Sequence, residues 1–353
     1  MRILEAIASR SLRATRRSVF SMAAVLLALL PWDTGFAQAA RTATPAWSDI
    51  VAAAKKEGKV TFYYGATPAS QGRVIAGFRK AYPDIEVESL RVPSGPLMAK
   101  VDQERLGGAD GADIVNSTEM GWFTLRANEG VLIKPAGPAL AAWPKEWLID
   151  GGNTVVPGVE PIAISYNRNT VKPAPRGYPD LLRPDIKGRL GIVELAATTI
   201  VAYYDWIEKT QGAGYLERIK AQNPKFYTSG VTLTQALASG EVDVGLWGVP
   251  SDLRLMMEKG APIDFAMPSP GMGYKFGLAV LGWGKRRNAA LVFMDYVMSP
   301  DGQAAWHGNG TSASPLPGVP GGLPINAVTP WNPADYPADV TKRYTDRWNR
   351  IFK

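Results

Sequence analysis

Short β-branched or aromatic runs alternate with amphipathic helical stretches along most of this chain, and the alternation breaks once and then resumes. Trp47 to Glu57 carries Trp47, Ile50, Val51 and Ala54 at helical spacing and is closed by Gly58. Val60-Thr61-Phe62-Tyr63-Tyr64, closed by Gly65, reads as a buried strand. Helices are expected over 70–82, stopped by Pro83, over 94–106, and over 120–129; strands are expected over 85–92 and 113–115. Strands alternating with helices build βαβ units around a parallel sheet, so the chain reads as an α/β protein.

The break is at 157–167, where Ile162-Ala163-Ile164-Ser165-Tyr166 looks like a strand leaving the first unit. A second unit follows. Strands are expected at 190–193, 225–227 and 242–247, with helices over 199–209, 214–223 and 233–238. Strands at 263–267 and 277–281 then lead back, followed by helices at 288–298 and from Ser299-Pro300, a serine cap with proline in the first turn. Residues 308–337 hold seven Pro and five Gly, the composition of an irregular strap. Val340, Tyr344, Trp348 and Ile351 form the apolar stripe of a C-terminal helix.

Residues 1–39 have a different logic. Five arginines precede or flank the start of a twelve-residue apolar run, Val19–Leu30, and Ala37-Gln38-Ala39 ends the polar stretch after it. Basic, apolar and A-x-A regions in that order are a signal peptide, and twelve apolar residues are too few to span a bilayer. Cleavage is expected after Ala39, leaving 353 − 39 = 314 residues. The removed segment carries five Arg and two acids, so the formal charge falls from +7 to about +4. That balance does not call for nucleic acid as a partner. The expected compartment is the periplasm. With no Cys there are no disulfides or thiolate metal sites, and a single His, His307, leaves no His-pair zinc site and little basis for a Ser-His-Asp triad. No catalytic residue, metal site or cofactor is expected.

In open α/β sheets, ligands bind beyond the carboxyl ends of the strands, where helix N-termini present free N–H groups and partial positive charge. Small hydroxyl or glycine residues fall at such places: Thr67 and Ser70, Ser94 and Gly95, Ser117 and Thr118, Thr198 and Thr199, Ser229 and Gly230. They suit a cradle for carboxylate, phosphonate or phosphate; any single pair equally suits an ordinary N-cap. Tyr166 and Trp247 are candidates for pocket walls or for core, Trp122 for core. Glu119 is a candidate ligand contact or a structural partner at the hinge. Arg91 could pair an anion bidentately or simply end a strand in solvent.

Several segments together resemble the bacterial extracellular solute-binding proteins, nearest to the ferric-iron-type branch of ABC-transporter binding proteins. They are W-S-D-I-V-A-A-A-K-K-E-G (47–58), A-D-I-V-N-S-T-E (112–119), P-I-A-I-S-Y-N (161–167), L-L-R-P-D-I-K-G-R-L (181–190), L-A-S-G-E-V-D-V-G-L (237–246) and F-M-D-Y-V-M-S-P-D-G-Q (293–303). The resemblance implies a two-lobed periplasmic-binding-protein fold of type II, each lobe a mixed, mainly parallel sheet flanked by helices, with two hinge crossings. Lobe 1 is expected at 40–160 plus 273–353 and lobe 2 at 161–272, the hinge near 157–167 and 264–277. The resemblance places Glu119 where the branch has a carboxylate ligand. It fails at the other iron positions: the loop after the first strand, 65–70, has no His, and Trp247-Gly248-Val249-Pro250-Ser251 has no tyrosine pair. Tyr203-Tyr204 lies inside a helix, elsewhere in the motif order, where adjacent side chains point about 100° apart.

The expected function is a monomeric periplasmic receptor that closes over a small organic anion, carboxylate or phosphonate-like, and delivers it to an inner-membrane ABC permease. The expected contacts are Thr67, Ser70, Ser94, Gly95, Ser117, Glu119, Tyr166, Thr198, Thr199 and Trp247. Ferric-iron transport and a sensor co-receptor on the same fold are the alternatives.

Overall fold

The computed structural model describes residues 46–326 and 329–353. The expected signal peptide lies outside the described residues. In chain order the first half runs α1 (Trp47–Glu57), β1 (Lys59–Tyr64), α2 (Pro68–Ala81), β2 (Glu86–Arg91), α3 (Ser94–Leu106), β3 (Ile114–Ser117), α4 (Met120–Asn128), β4 (Leu132–Ile133), α5 (Pro138–Ala141), β5 (Leu148–Ile149) and β6 (Thr154–Val155). Then come β7 (Val159–Pro161), β8 (Ala163–Asn167), β9 (Leu190–Val193), α6 (Thr198–Gln211), α7 (Tyr215–Ala221), β10 (Lys225–Tyr227), α8 (Gly230–Ser239), β11 (Val244–Gly248), α9 (Pro250–Glu258) and β12 (Ile263–Ala266). The return is β13 (Met272–Lys275), β14 (Gly277–Leu281), α10 (Arg287–Met298), α11 (Pro300–His307), β15 (Thr329–Pro330) and α12 (Ala338–Phe352).

Two main sheets result. One has the order β2-β1-β3-β14-β6-β5, with β4 also paired to β14; the other is β10-β9-β11-β8-β12. Within these two sheets, parallel pairing is confined to β2-β1-β3 and to β10-β9-β11. Strands that enter a sheet from the other half of the molecule, β14 and β8, run antiparallel to their neighbours. The sheets are therefore mixed to a greater degree than "mainly parallel", because each crossing strand arrives from the end opposite to the one where a βαβ unit would deliver it.

β7 and β13 carry the chain between the two halves. They pair antiparallel, with Glu160 opposite Tyr274, and β15 joins them in a small three-stranded sheet. This is the two-lobed architecture, with two hinge strands side by side.

The C-terminal helix departs from expectation. Expected in lobe 1, α12 docks instead on α6 and α7 beside the second sheet. Trp348 packs on Tyr204 and Phe352 on Phe226, with ring centroids 6.0 and 5.9 Å apart. Buried Glu208 of α6 accepts from Tyr344 Oη at 2.8 Å and Arg347 Nη2 at 2.6 Å. The apolar stripe needs an apolar partner, and the outer face of α6 and β10 offers aromatic rings; a fully buried aromatic side chain contributes about 2–3 kcal/mol. The strap before α12 thus makes a third passage, and its 3₁₀ turn at Pro333–Asp335 touches α4 on the way.

α9 falls where no element is expected. It starts with Pro250 in its first turn and Asp252 near its N-terminus, both ordinary helix-start signals.

Candidate functional site

The carboxyl ends of β1, β2, β3, β9 and β11 all point into the space between the sheets, so the loops beyond them and the N-termini of α2, α3, α6 and α8 surround it. Between them lies a narrow cavity of about 70 Å³. Its walls mix apolar groups, among them Pro93, Ile200, Val249 and Phe276, with hydroxyls and the arginine at the end of β2.

Four expected residues line this cavity: Thr67, Ser94, Thr199 and Trp247. Their hydroxyls are not equally free. Thr67 caps α2 by accepting from Ser70 N at 3.2 Å, and Ser94 Oγ accepts from Thr118 N at 3.2 Å. Ser229, also in the wall, caps α8 through a reciprocal pair with Thr232. Thr199 Oγ1, by contrast, is buried and has no protein partner. Trp247 stands in the wall with its ring stacked on Tyr274, centroids 5.9 Å apart, and edge-on to Tyr203. Gly230 is required here, since a Cβ on it would lie 2.7 Å from the Trp247 ring.

The other expected residues have different positions. Ser70 is buried and bonds back to the Thr67 carbonyl oxygen at 3.2 Å; Ser117 is buried and accepts from Glu119 N. Tyr166 lies within the second sheet, opposite Val244 and Asp264, outside the cavity wall. Its ring serves the core, because an inner strand such as β8 has both faces covered. Glu119 and Thr198 meet each other at a second, wider groove also walled by Trp147, Lys275 and Trp331. Thr198 N donates to Glu119 Oε1 at 2.9 Å and Thr198 Oγ1 to Oε2 at 2.6 Å. A carboxylate at the first turn of α6 is favoured by the exposed N–H groups there.

Glu119–Thr198 bridges the two halves of the fold, and it is not alone. Thr67 Oγ1 lies 2.9 Å from Ser251 Oγ. A Cβ on Gly95 would come within 2.6 Å of the Ala196 carbonyl oxygen, so glycine is what permits that approach. Three contacts around the rim join the two halves across the cavity.

Arg91 is the charged group in the wall. Its Nε is buried without a partner. Burial pushes its guanidinium down from the ordinary value, with Asp252, Tyr64 and Tyr274 acting in opposition. Asp252 is buried on α9, one oxygen unpartnered, and burial together with Glu160 pushes its carboxyl up to about 7. Glu160 is fully enclosed, accepts from Trp306 Nε1 and Tyr274 Oη at 3.0 Å each, and is raised by burial. Sequence reasoning weighed Arg91 chiefly as a strand end in solvent and did not reach Asp252 or Tyr274, whose roles depend on which lobe faces them.

Tyr203 and Tyr204 are excluded as cavity ligands by their bonds. Their hydroxyls donate to Leu246 O at 2.5 Å and Val193 O at 2.6 Å, and burial raises both above the ordinary phenol range. Among the described residues no three His, Asp or Glu side chains gather as a metal-binding group. Among them, too, no helix is long and apolar enough to cross a membrane.

The sequence pattern of bacterial extracellular solute-binding proteins matches residues 59–312. An uncharacterized protein of Haemophilus influenzae is 25% identical over 281 residues, 73% of this chain and 78% of that protein. Among solved structures, the substrate-binding protein of an ABC transporter from Agrobacterium tumefaciens superposes with a TM-score of 0.73 at 16% identity, covering 84% of this chain and 94% of that one. The periplasmic binding protein AfuA of Actinobacillus pleuropneumoniae, solved with fructose-6-phosphate, gives 0.68 at 20%, covering 84% and 99%. Iron-bound HitA of Pseudomonas aeruginosa gives 0.63 at 22%, covering 83% and 99%. At these identities the likeness to the solved structures is one of fold.

Proposed function

The chain belongs to the bacterial extracellular solute-binding proteins, and from that premise we propose that it is a periplasmic receptor that closes over a small organic anion and hands it to an ABC permease. The observation that carries the ligand class is Arg91: a guanidinium in the cavity wall with a buried, unpartnered Nε, lining the same cavity as the unpartnered Thr199 hydroxyl. Buried donors without acceptors are costly, and a carboxylate or phosphate oxygen relieves that cost through charge-assisted bonds. Stacked Trp247 and Tyr274 and the aliphatic wall offer apolar surface to a short carbon body. One structural neighbour carries a sugar phosphate, a ligand of this chemistry.

The site in this reading is Arg91, Thr67, Ser94, Thr199 and Trp247, with Glu119–Thr198, Thr67–Ser251 and Gly95–Ala196 as contacts made on closure. Lobe 1 comprises residues 46–160 and 273–307, and lobe 2 residues 161–272 with α12 docked on it. Iron is the second reading, favoured by the iron-bound neighbour. The donor set weighs against it: a hard cation needs several anionic oxygens, and the wall supplies hydroxyls and a cation.

The test is a thermal-shift screen of the mature protein against carboxylates, phosphonates, phosphate monoesters and ferric salts. A ligand at 100 times its dissociation constant adds about 2.7 kcal/mol. Arg91→Ala should abolish the shift. An organic anion that binds the variant as tightly as the wild type would remove the basis for this reading.

A further inference from the structure

A buried carboxyl group, Asp252, lies in the seam between the lobes. Asp252 projects from α9 of lobe 2 onto the N-terminus of α2 in lobe 1, beside the Thr67–Ser251 contact. Asp252 is buried there, and its Oδ2 has no partner. The cover comes from α2 of the opposite lobe, which packs on α9, so this burial lasts only while the lobes are together. Its other charged and titratable neighbours are Arg91 on β2, Tyr64 on β1, and Glu160 and Tyr274 on the hinge strands. Arg73 on α2 faces Glu160 and Glu258; Arg254 and Glu258 are on Asp252's own helix.

We propose that closing the cleft takes up one proton, on Asp252, so that acidity favours the closed, solute-holding form. The inference rests on the reading of this cleft as one that opens and closes, and it concerns the regulation of that site.

Arg91 is the nearest compensating cation, but it is also the group that meets the solute. An anion bound there divides the guanidinium between two negative groups, and the buried, half-satisfied carboxylate is the one that gains by taking a proton. Glu160 stands as an internal control. Its donors, Trp306 and Tyr274, sit on α11 and the adjacent hinge strand, so its burial does not depend on the lobes meeting.

The sign follows from the two environments. Closed, the Asp252 carboxyl titrates at about 7, raised by burial and then by Glu160. Open, it returns to water and to an ordinary value of about 3.9. Above pH 8 neither form holds the proton and closure is indifferent to pH. Between about 7 and 4 only the closed form holds it, and the closed-to-open ratio rises up to about tenfold for each unit the pH falls. Below 4 both forms hold it and the effect levels off.

The chain has no native cysteine, so a dye pair on Lys80→Cys and Lys209→Cys, one site on each lobe, reports the interlobe distance by energy transfer without added solute. The closed population should grow as pH falls from 8 to 5. Asp252→Asn, a neutral isostere, should remove that dependence and hold the closed population near its acid level. Carbon-13 carboxyl resonances of the wild type, compared with the variant to identify Asp252, should show a midpoint near neutrality that coincides with the distance change. A closed population that stays flat from pH 8 to 5, or the same pH response in the variant, overturns the proposal. So does an Asp252 midpoint below 5 under conditions where the dyes report closure; should the variant not fold, a closed population in the labelled wild type that stays flat from pH 8 to 5 still decides against it. No ligand enters these experiments, so they can fail while the anion reading survives, and the Arg91→Ala screen can fail while they succeed.

Discussion

Replacing Tyr204 with phenylalanine separates a core tyrosine from a ligand tyrosine. The hydroxyl donates to Val193 O at 2.6 Å, and the residue is 1% exposed. The substitution keeps the ring in place against Trp348 and deletes only the donor. A lost buried hydrogen bond costs about 1 kcal/mol, and an acceptor left in the dark raises that to about 2 kcal/mol. For a chain of this size each kcal/mol moves the melting temperature by about 2–4 °C, so Tyr204→Phe should melt roughly 2–8 °C lower. Tyr203→Phe, which loses its bond to Leu246 O, should behave alike. Neither should alter anion binding, because both hydroxyls point into lobe 2's interior. Calorimetry on the two variants, with an absorbance scan for a ferric–tyrosinate band, decides the matter. A variant that melts with the wild type but loses a coloured ferric complex would refute the reasoning and restore the iron reading.

Glu119→Ala removes both bonds to Thr198; at a half-buried rim these are worth about 2 kcal/mol together, so ligand dissociation constants should rise roughly 30-fold by isothermal titration, and Glu119→Gln, which keeps most of the bonding, should lose less. Gly230→Ala drives a methyl into the Trp247 ring at 2.7 Å; the tryptophan emission change on ligand binding should disappear, and an unaltered titration would show that Trp247 is not at the site. His307 is fully buried between Ser312 and the Pro157 carbonyl, and burial pushes it down to about 3. The unfolded chain therefore binds its proton first as pH falls below about 6.5, so this residue withdraws up to about 1.4 kcal/mol of stability per pH unit between 6.5 and 3; urea unfolding of His307→Gln should lack that component. Trp348→Ala, at the centre of the α12 contact, should cost about 3 kcal/mol by urea unfolding; a change below 1 kcal/mol would mean that α12 contributes little to lobe 2.

Much of the fold was legible because local chemistry determines it. Gly58 and Gly65 punctuate, Pro83 stops a helix, Ser299-Pro300 opens one, and β-branched runs such as Leu190–Val193 are strands in any context that buries them. The longest element that escaped, α9, has an amphipathic stripe of only nine residues, and the others missed, such as β4, β5 and β6, are two-residue strands. The site was legible in part. Thr67, Ser94, Thr199 and Trp247 follow strands or begin helices, and sheet topology sends such positions to the cleft. Tyr166 does not follow, since alternation along β8 gives two faces and the sequence does not say which is covered by what.

The sequence by itself determined the α/β alternation, its interruption and return, the small polar residues where helices begin, and the lack of His in 65–70 and of Tyr in 247–251. The tertiary structure alone decided which groups meet across the lobes: Glu119 with Thr198, Gly95 with Ala196, Asp252 with the start of α2, and α12 with lobe 2 rather than lobe 1. Those pairings join residues 79 to 184 positions apart or helices whose apolar stripes could have found several hosts. Local periodicity carries no information about a partner that distant. Only the packing of the whole chain, in which every buried donor and apolar face must be matched at once, selects it.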